Sequence, residues 1–322
     1  MFDVVALGEL LIDFTPAGTS DQGAALFARN AGGAPANVLA MLSILGKKTA
    51  FIGKVGRDSF GRFLKQTVAD RGIDVSHLIE SPHEPTTLAF VQLDETGDRS
   101  FEFYRRQSAD VMLRPEEVSR QLLEQCRLFH FGSVSMTAEP ARSATLFAAR
   151  EARRLGKLVS YDPNFRPALW SSPDDAVSIM ASGLDYADIV KVSDDEVALL
   201  TGETDYLRGA RALVQRGAKL ALVTAGPQGT WYASAAGCGG HVPSFRVPAI
   251  DTTGAGDTFL GTLLSQILDQ ALPPEALSDA QLRGIIRYAN AAGALSTTGM
   301  GAIASMPTRQ QIEKCLKSEE QG

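Results

Sequence analysis

Short apolar runs that stop at a glycine or at polar residues, and then give way to helical periodicity, constrain this chain more than any other feature. Val4-Val-Ala-Leu7 ends at Gly8, Thr49-Ala-Phe-Ile52 at Gly53 and Leu128-Phe-His-Phe131 at Gly132. Leu158-Val-Ser-Tyr161 ends at Asp162, Ile189-Val-Lys-Val192 at Ser193, and the run from Leu220 to Val223 at Thr224. Runs this short suit strands buried on both faces, and their alternation with helices predicts an α/β fold: a doubly wound, mostly parallel sheet with helices on both faces. One stretch breaks the rhythm. Thr86 to Leu93, Asp94-Glu-Thr-Gly-Asp98 and Arg99 to Arg105 read as a β-hairpin with its loop, and with the segment from about Phe14 to Arg29 they predict a small separate sheet. We expect a single domain over residues 1–322 with a discontinuous β lid from about 12–34 and 86–108.

A chain of 322 residues with 44% hydrophobic and 21% charged residues can bury a full core. Its net charge of −6, with no basic run, argues against a nucleic-acid or anionic-membrane partner, so any bound polyanion must be held by local groups. The cysteines, Cys126, Cys238 and Cys315, are too far apart for a metal knuckle, and the four histidines lie in no ligand spacing. Inert thiols in a reducing cytosol are the simple reading. Met1-Phe-Asp-Val enters a strand at once, without a leader pattern or spanning segment, and a cytoplasmic protein is expected.

Ligands of open α/β sheets bind at the carboxyl ends of the strands. The polar residues after each run are therefore the candidates. Asp13 stands among apolar neighbours and is either a paired core acid or a ligand for hydroxyls. In Gly32-Gly-Ala-Pro-Ala-Asn37 two glycines permit close backbone approach, and Asn37 is either a cap or a donor and acceptor for a polyol. The Phe60 to Arg71 stretch reads as a helix stopped by Gly72. Arg166, beside Asn164, is either a surface ion pair or a fixed cation of the site. Ser193-Asp-Asp-Glu196 is ordinary capping chemistry that could equally hold water on a magnesium ion, and Thr224-Ala-Gly226-Pro-Gln-Gly229 either hugs a phosphate or reverses the chain. Ala289-Asn290 opens a small-residue helical stretch, Gly299 to Ser305 is irregular backbone with carbonyls to offer, and Ser318 to Gly322 reads as a solvated tail.

Asp251-Thr-Thr-Gly-Ala-Gly-Asp257 carries the most chemistry. It opens into an amphipathic helix with Phe259, Leu260, Leu263, Leu264, Ile267 and Leu268 on one face. Bare amides at a helix start, where the macrodipole adds about half a positive charge, form an anion site. Asp257 either caps this helix or accepts the proton of a hydroxyl that attacks the anion.

Taken together these stretches resemble the ribokinase-like, or PfkB-type, carbohydrate kinases, and within them the fructokinase branch. The resemblance spans essentially the whole chain and rests on Gly32 to Asn37 and Asp251 to Thr258-Phe259, with Gly53 to Asp58, Phe103 to Asp110, Tyr161 to Asn164 and Lys191 to Glu196 in support. It implies transfer of the γ-phosphoryl group of ATP to a sugar hydroxyl, most simply of fructose to fructose 6-phosphate. Asp257 would be the base and the Gly254, Ala255 and Gly256 amides the anion hole. Asp13, Gly33, Asn37, Asn164 and Arg166 would bind sugar, and Arg166 would also steady phosphate charge. Lys191, Glu196, Thr224, Gly226, Gly229, Gly254, Gly256 and Asn290 would hold the nucleotide, with Glu196 reaching Mg²⁺ through water. Asp251, Thr253, Ser296, Gly299, Gly301 and Ser305 would hold K⁺.

Ribokinases proper carry Asn-x-x-Glu where this chain has Ser193-Asp-Asp-Glu196, and a sugar-binding Glu where it has Gly132-Ser-Val-Ser135, which argues against ribose. The alternatives are kinases of 2-keto-3-deoxygluconate or of aminoimidazole riboside and other nucleosides, a non-catalytic sugar sensor, and a nicotinamide oxidoreductase. The last would need a glycine fingerprint after the first strand, and Leu7-Gly-Glu-Leu-Leu-Ile lacks one. An exposed lid sheet could also pair with its twin in a homodimer.

Overall fold

The computed structural model describes residues 1–93 and 99–319. Its strands are β1 (Phe2–Leu7), β2 (Leu11–Thr19), β3 (Ala25–Gly32), β4 (Thr49–Gly56), β5 (Ile73–Asp74), β6 (Leu78–Ser81), β7 (Leu88–Leu93), β8 (Arg99–Tyr104), β9 (Cys126–Gly132), β10 (Leu158–Asp162), β11 (Ile189–Ser193), β12 (Leu220–Thr224), β13 (Thr230–Ser234) and β14 (Gly239–Val242). Its helices are α1 (Ala34–Ile44), α2 (Ser59–Asp70), α3 (Arg120–Glu124), α4 (Ala141–Arg154), α5 (Pro173–Leu184), α6 (Asp194–Thr201), α7 (Tyr206–Gln215), α8 (Ala255–Leu268), α9 (Asp279–Ser296) and α10 (Arg309–Glu319).

The large sheet runs β14-β13-β12-β11-β10-β9-β1-β4-β5, with β6 beside β4. Neighbours from β12 to β5 are parallel, whereas β13 and β14 turn back antiparallel at one edge. Successive strand residues face opposite sides. Val4 and Ala6 of β1 therefore join the core under α1, α8 and α9, while Val5 and Leu7 join the core under α4. This two-sided burial is why the strands read as unbroken apolar runs. No described helix is long and apolar enough to cross a membrane.

A second sheet, ordered β3-β2-β7-β8, stands apart. Phe14 stacks on Phe90 with ring centres 4.9 Å apart, and Phe27 and Tyr104 meet Phe90 edge-on. The strand expected from Thr86 begins at Leu88, because Thr86 turns inward, accepts from the Gly56 amide and donates to Asp58. The loop expected at Asp94 to Asp98 lies outside the described residues. At the other end Ser318 is not tail, because α10 runs to Glu319 and packs Ile312 and Leu316 on the core; residues 320–322 are outside the described set.

The contact that positions the site is the crossing of α8 over α1. At Gly261 of α8 a Cβ would lie 2.7 Å from the Val38 carbonyl oxygen and 2.9 Å from the Met41 Cβ, so the two backbones meet closely only because that carbon is missing. Overpacking such a contact costs about 1–3 kcal/mol, more than the few tenths that a better helix former returns. Gly261→Val should lower the thermal midpoint and, by parting the helices, reduce turnover per folded molecule; a calorimetric scan with unchanged midpoint would refute the close-packing argument.

Candidate active site

The turn from Asp251 to Gly254 hangs between the large sheet and α8. Asp251 accepts from the Thr253 amide at 2.8 Å and from the Gly301 amide at 2.9 Å, tying the turn to the loop at Gly299 to Ser305. Gly254 is the residue before the first helical one, with φ 76°, and a Cβ on it would lie 2.6 Å from the Ala302 Cβ. Thus a left-handed residue with no side chain is required where the chain enters the helix. The Ala255 amide donates back to the Thr252 carbonyl at 3.2 Å. The Gly254, Gly256 and Asp257 amides have no partner among the described residues. Ala255 is therefore turned away from the expected fan of donors, and the Asp257 amide takes its place.

Asp257 makes no capping bond to its own helix. Its carboxylate instead accepts from Asn37 Nδ2 at 2.8 Å. Asn37 is no cap either: it sits in the first turn of α1, and its Oδ1 is buried without a partner. Burial pushes the Asp257 carboxyl up to about 6, against the pull of the Asn37 hydrogen bond; Asp162 adds to the rise, and Lys191 and Arg166 oppose it.

A cleft of about 530 Å³ opens above this carboxylate. Asp13, Gly33, Asn37, Asn164, Arg166, Thr253, Gly254 and Asp257 line it, with Glu9, Leu11, Ala34, Phe103, Val134 and Leu169. Burial raises Asp13 to about 7, Arg166 draws it down and Asp257 pushes it further up. The Arg166 guanidinium donates to the Phe165 carbonyl at 3.0 Å and, among the described residues, forms no ion pair, so it is the cation of the cleft rather than half of a surface pair.

The loop that carries Asn164 and Arg166 is held from below. Asn164 adopts φ 50°, and its amide donates to Asp162 Oδ1 at 3.2 Å, a local turn that asparagine tolerates. Lys191 Nζ pairs with Asp162 Oδ2 at 2.8 Å in a buried ion pair. Glu196 forms a capping box with Ser193, and its Oε1 accepts from the Phe165 amide at 2.6 Å. Lys191 Nζ also lies beside the turn, 3.1 Å from where a Cβ on Gly256 would stand, so the ion pair sets a cation next to the free amides.

A second cleft of about 1290 Å³ lies on the other side of the turn. Thr224, Gly226, Gly229, Gly256 and Asn290 line it, together with Phe245, Arg246 and Thr252; Lys191 and Glu196 do not. Both Asn290 Nδ2 hydrogens are committed to the Val242 and Pro243 carbonyls and its Oδ1 accepts from Thr230, which leaves this cleft one acceptor site of that oxygen. Thr252, Ala255 and Gly256 face this cleft, and Thr253, Gly254 and Asp257 the first. One turn separates the two cavities.

Among the described residues no three His, Cys, Asp or Glu side chains converge as a metal cage. Of the six positions expected at a monovalent cation, the Ser296 hydroxyl donates to the Gly293 carbonyl, and the Gly301 carbonyl accepts from Ser305. Ser305 also backs Gly299 closely. What remains to such an ion is mainly carbonyl oxygen, the donor type that suits a hard cation. Sequence reasoning passed over Glu9, although it follows the first strand as the other candidates follow theirs; the strand-end rule was the available signal.

The profile described as pfkB family carbohydrate kinase matches residues 1–309. Fructokinase-1 of Zea mays is 45% identical over 321 residues, covering 98% of this chain and 97% of that protein. The solved fructokinase from Xylella fastidiosa with bound ATP superposes with a TM-score of 0.91 at 33% identity, covering 99% of this chain and 100% of that one. A fructokinase double mutant from Vibrio cholerae O395, with fructose, ADP and potassium ion bound, matches with a TM-score of 0.87 at 33% identity over 98% of each chain. With two cavities meeting at a glycine turn, and with full-length matches in sequence and in fold, this chain belongs to the pfkB family of carbohydrate kinases.

Proposed function

We propose that this chain is a fructokinase, transferring the γ-phosphoryl group of ATP to the 6-hydroxyl of fructose. The observation that carries this reading is the single turn at Thr252 to Asp257, which lines a cleft of hydroxyl-binding side chains (Asp13, Asn37, Arg166) on one side and the cleft of Thr224, Gly229 and Asn290 on the other. Sugar in the first cleft and ATP in the second bring a hydroxyl and the γ-phosphorus together over the free amides. Phosphoryl transfer asks little covalent work of a protein beyond such positioning and charge stabilisation.

In this mechanism Asp257 accepts the hydroxyl proton while the new O–P bond forms and the bond to the ADP oxygen breaks. The Gly254, Gly256 and Asp257 amides hold the charge of the group in transit, and Arg166 adds a fixed cation. Asn37 orients the base, and Asp13 and Asn164 take other hydroxyls. Mg²⁺ would neutralise the nucleotide's phosphate oxygens; both Glu196 oxygens already accept from amides, so Glu196 would meet the ion only through water. K⁺ beside Asp251 would stiffen the two loops that this residue joins. Three carboxyl groups and one guanidinium line the acceptor cleft, a balance that favours a neutral polyol over the carboxylate of 2-keto-3-deoxygluconate.

The second sheet would act as a lid, since β2 supplies Leu11 and Asp13 and β8 supplies Phe103 to the cleft. Its outer aromatic face exposes Phe27 and Tyr104, which suits pairing with a second copy. Cys126, Cys238 and Cys315 form no disulfide, which fits a reducing cytoplasm.

The direct test is ADP release with fructose, ribose, 2-keto-3-deoxygluconate and aminoimidazole riboside, each with and without K⁺. Fructose should be turned over best, and faster with K⁺; no ADP from any of the sugars would favour a sensor. Asp257→Asn should leave fructose and ATP binding nearly intact while kcat falls by at least about 10²-fold, the scale of general-base catalysis. In the wild type kcat/KM should rise with pH through about 6 and level above it, because only ionised Asp257 can take the proton. A variant with near-normal turnover, or a profile flat from pH 5 to 8, would remove Asp257 from that role. Sedimentation should give a dimer that Phe27→Asp dissociates; a wild-type monomer would discard the lid pairing.

A further inference from the structure

Glu9 follows β1, is 3% exposed and lines the acceptor cleft, yet the chemistry described so far makes no use of it. Its Oε1 accepts from the Ala34 amide at 2.9 Å, at the start of α1. Its Oε2 is buried and has no partner among the described residues. Leaving a buried polar atom unpaired costs about 1–3 kcal/mol, so an acid this long is a poor choice if its one task is to accept from Ala34. Arg105 is near enough to lower its pKa, but that guanidinium is spent on Asp110, Thr137 and the Val134 carbonyl. Burial lifts the Glu9 carboxyl to about 7, so near neutral pH it can give or take a hydrogen bond.

The surroundings also locate it. Glu9 is anchored at the Ala34 amide and Asp257 at the Asn37 side chain, three positions apart on α1, so the two carboxyls meet the cleft at separate points. The Glu9 main chain packs directly against Gly33, where an added Cβ would lie 2.3 Å from the Glu9 carbonyl oxygen, so the β1–β2 connection and the start of α1 are held together.

We propose that Glu9 is a specificity-determining residue of the acceptor pocket, its Oε2 taking a sugar hydroxyl remote from the one that receives the phosphoryl group. The proposal rests on the fructokinase reading and deepens it. A hydroxyl is the matching partner because it both donates and accepts, and it meets the carboxyl in either protonation state. On fructose phosphorylated at the 6-hydroxyl, the remote candidates are the 1-hydroxyl and the anomeric 2-hydroxyl.

The test compares wild type, Glu9→Ala and Glu9→Gln by calorimetric titration and steady-state turnover with fructose, 1-deoxyfructose and 2,5-anhydromannitol. Glu9→Ala should weaken fructose binding by at least about tenfold, the loss expected when a buried hydroxyl contact is removed. That loss should shrink to under about twofold with whichever analogue lacks the partner hydroxyl. Glu9→Gln keeps an acceptor for Ala34 and offers an amide to the sugar, so it should recover most of the affinity; should the Ala variant fail to fold, a Gln variant whose sugar preferences differ from wild type at one hydroxyl carries the proposal. Equal losses on all three sugars, or fructose affinity unchanged in both variants, overturn it and leave Glu9 as a support for the helix start. Wild type that phosphorylates fructose while Glu9 is silent removes this proposal alone, whereas wild type that neither binds nor phosphorylates fructose removes the fructokinase reading and this proposal with it.

Discussion

The hydrogen bond from the Asn37 amide to the Asp257 carboxylate joins two helix starts that lie 220 residues apart in the chain. It depends on the missing side chain at Gly261, which lets α8 settle on α1 one turn further along. It also decides which way the carboxylate faces. A free helix-start acid would fold back on its own amides, as acids at such positions ordinarily do. With Asn37 as its donor, Asp257 turns to the cleft and leaves the Gly254, Gly256 and Asp257 amides bare. One contact thus separates proton acceptor from charge-stabilising donors while keeping both on a single turn.

The electrostatics of the cleft follow from burial more than from pairing. For Glu9, Asp13 and Asp257 desolvation is the largest influence, and it raises each carboxyl toward neutral pH. Nearby cations oppose this without cancelling it: Arg166 for Asp13, Lys191 and Arg166 for Asp257, Arg105 for Glu9. A sugar, with its many hydroxyls, is the kind of ligand that relieves such groups, because each hydroxyl can both give and take a hydrogen bond. The buried Lys191 and Asp162 pair supplies the counterweight below, and removing either partner would leave an uncompensated charge under the turn.

Much of the fold was legible because its physics is local. Unbroken runs such as Val4 to Leu7 announce strands buried on both faces, and Gly72 and the glycines at 254 and 256 mark where backbone must turn or open. Asp13, Asn37 and Arg166 were legible as candidates by position after a strand or at a helix start, but each carried a rival reading as core acid, cap or surface pair. Those rivals could be weighed only with neighbours in view. The Asn290 amide illustrates the same point, since its donors are taken by the Val242 and Pro243 carbonyls and its oxygen is held by Thr230, residues that no pattern around Asn290 names.

What the sequence by itself determined is the alternation of strands and helices, the glycine-opened helix start and the residue types offered at the strand ends, all of which depend on neighbours a few residues away. The tertiary structure alone decided which of those residues share a cavity, that Ala255 turns its amide back while Asp257 keeps its own free, that Lys191 pairs with Asp162 beside Gly256, and that Glu9 belongs to the cleft. The reason is physical: hydrogen-bond partnership and desolvation depend on distances between segments hundreds of residues apart, and packing sets those distances only once the two cores have formed.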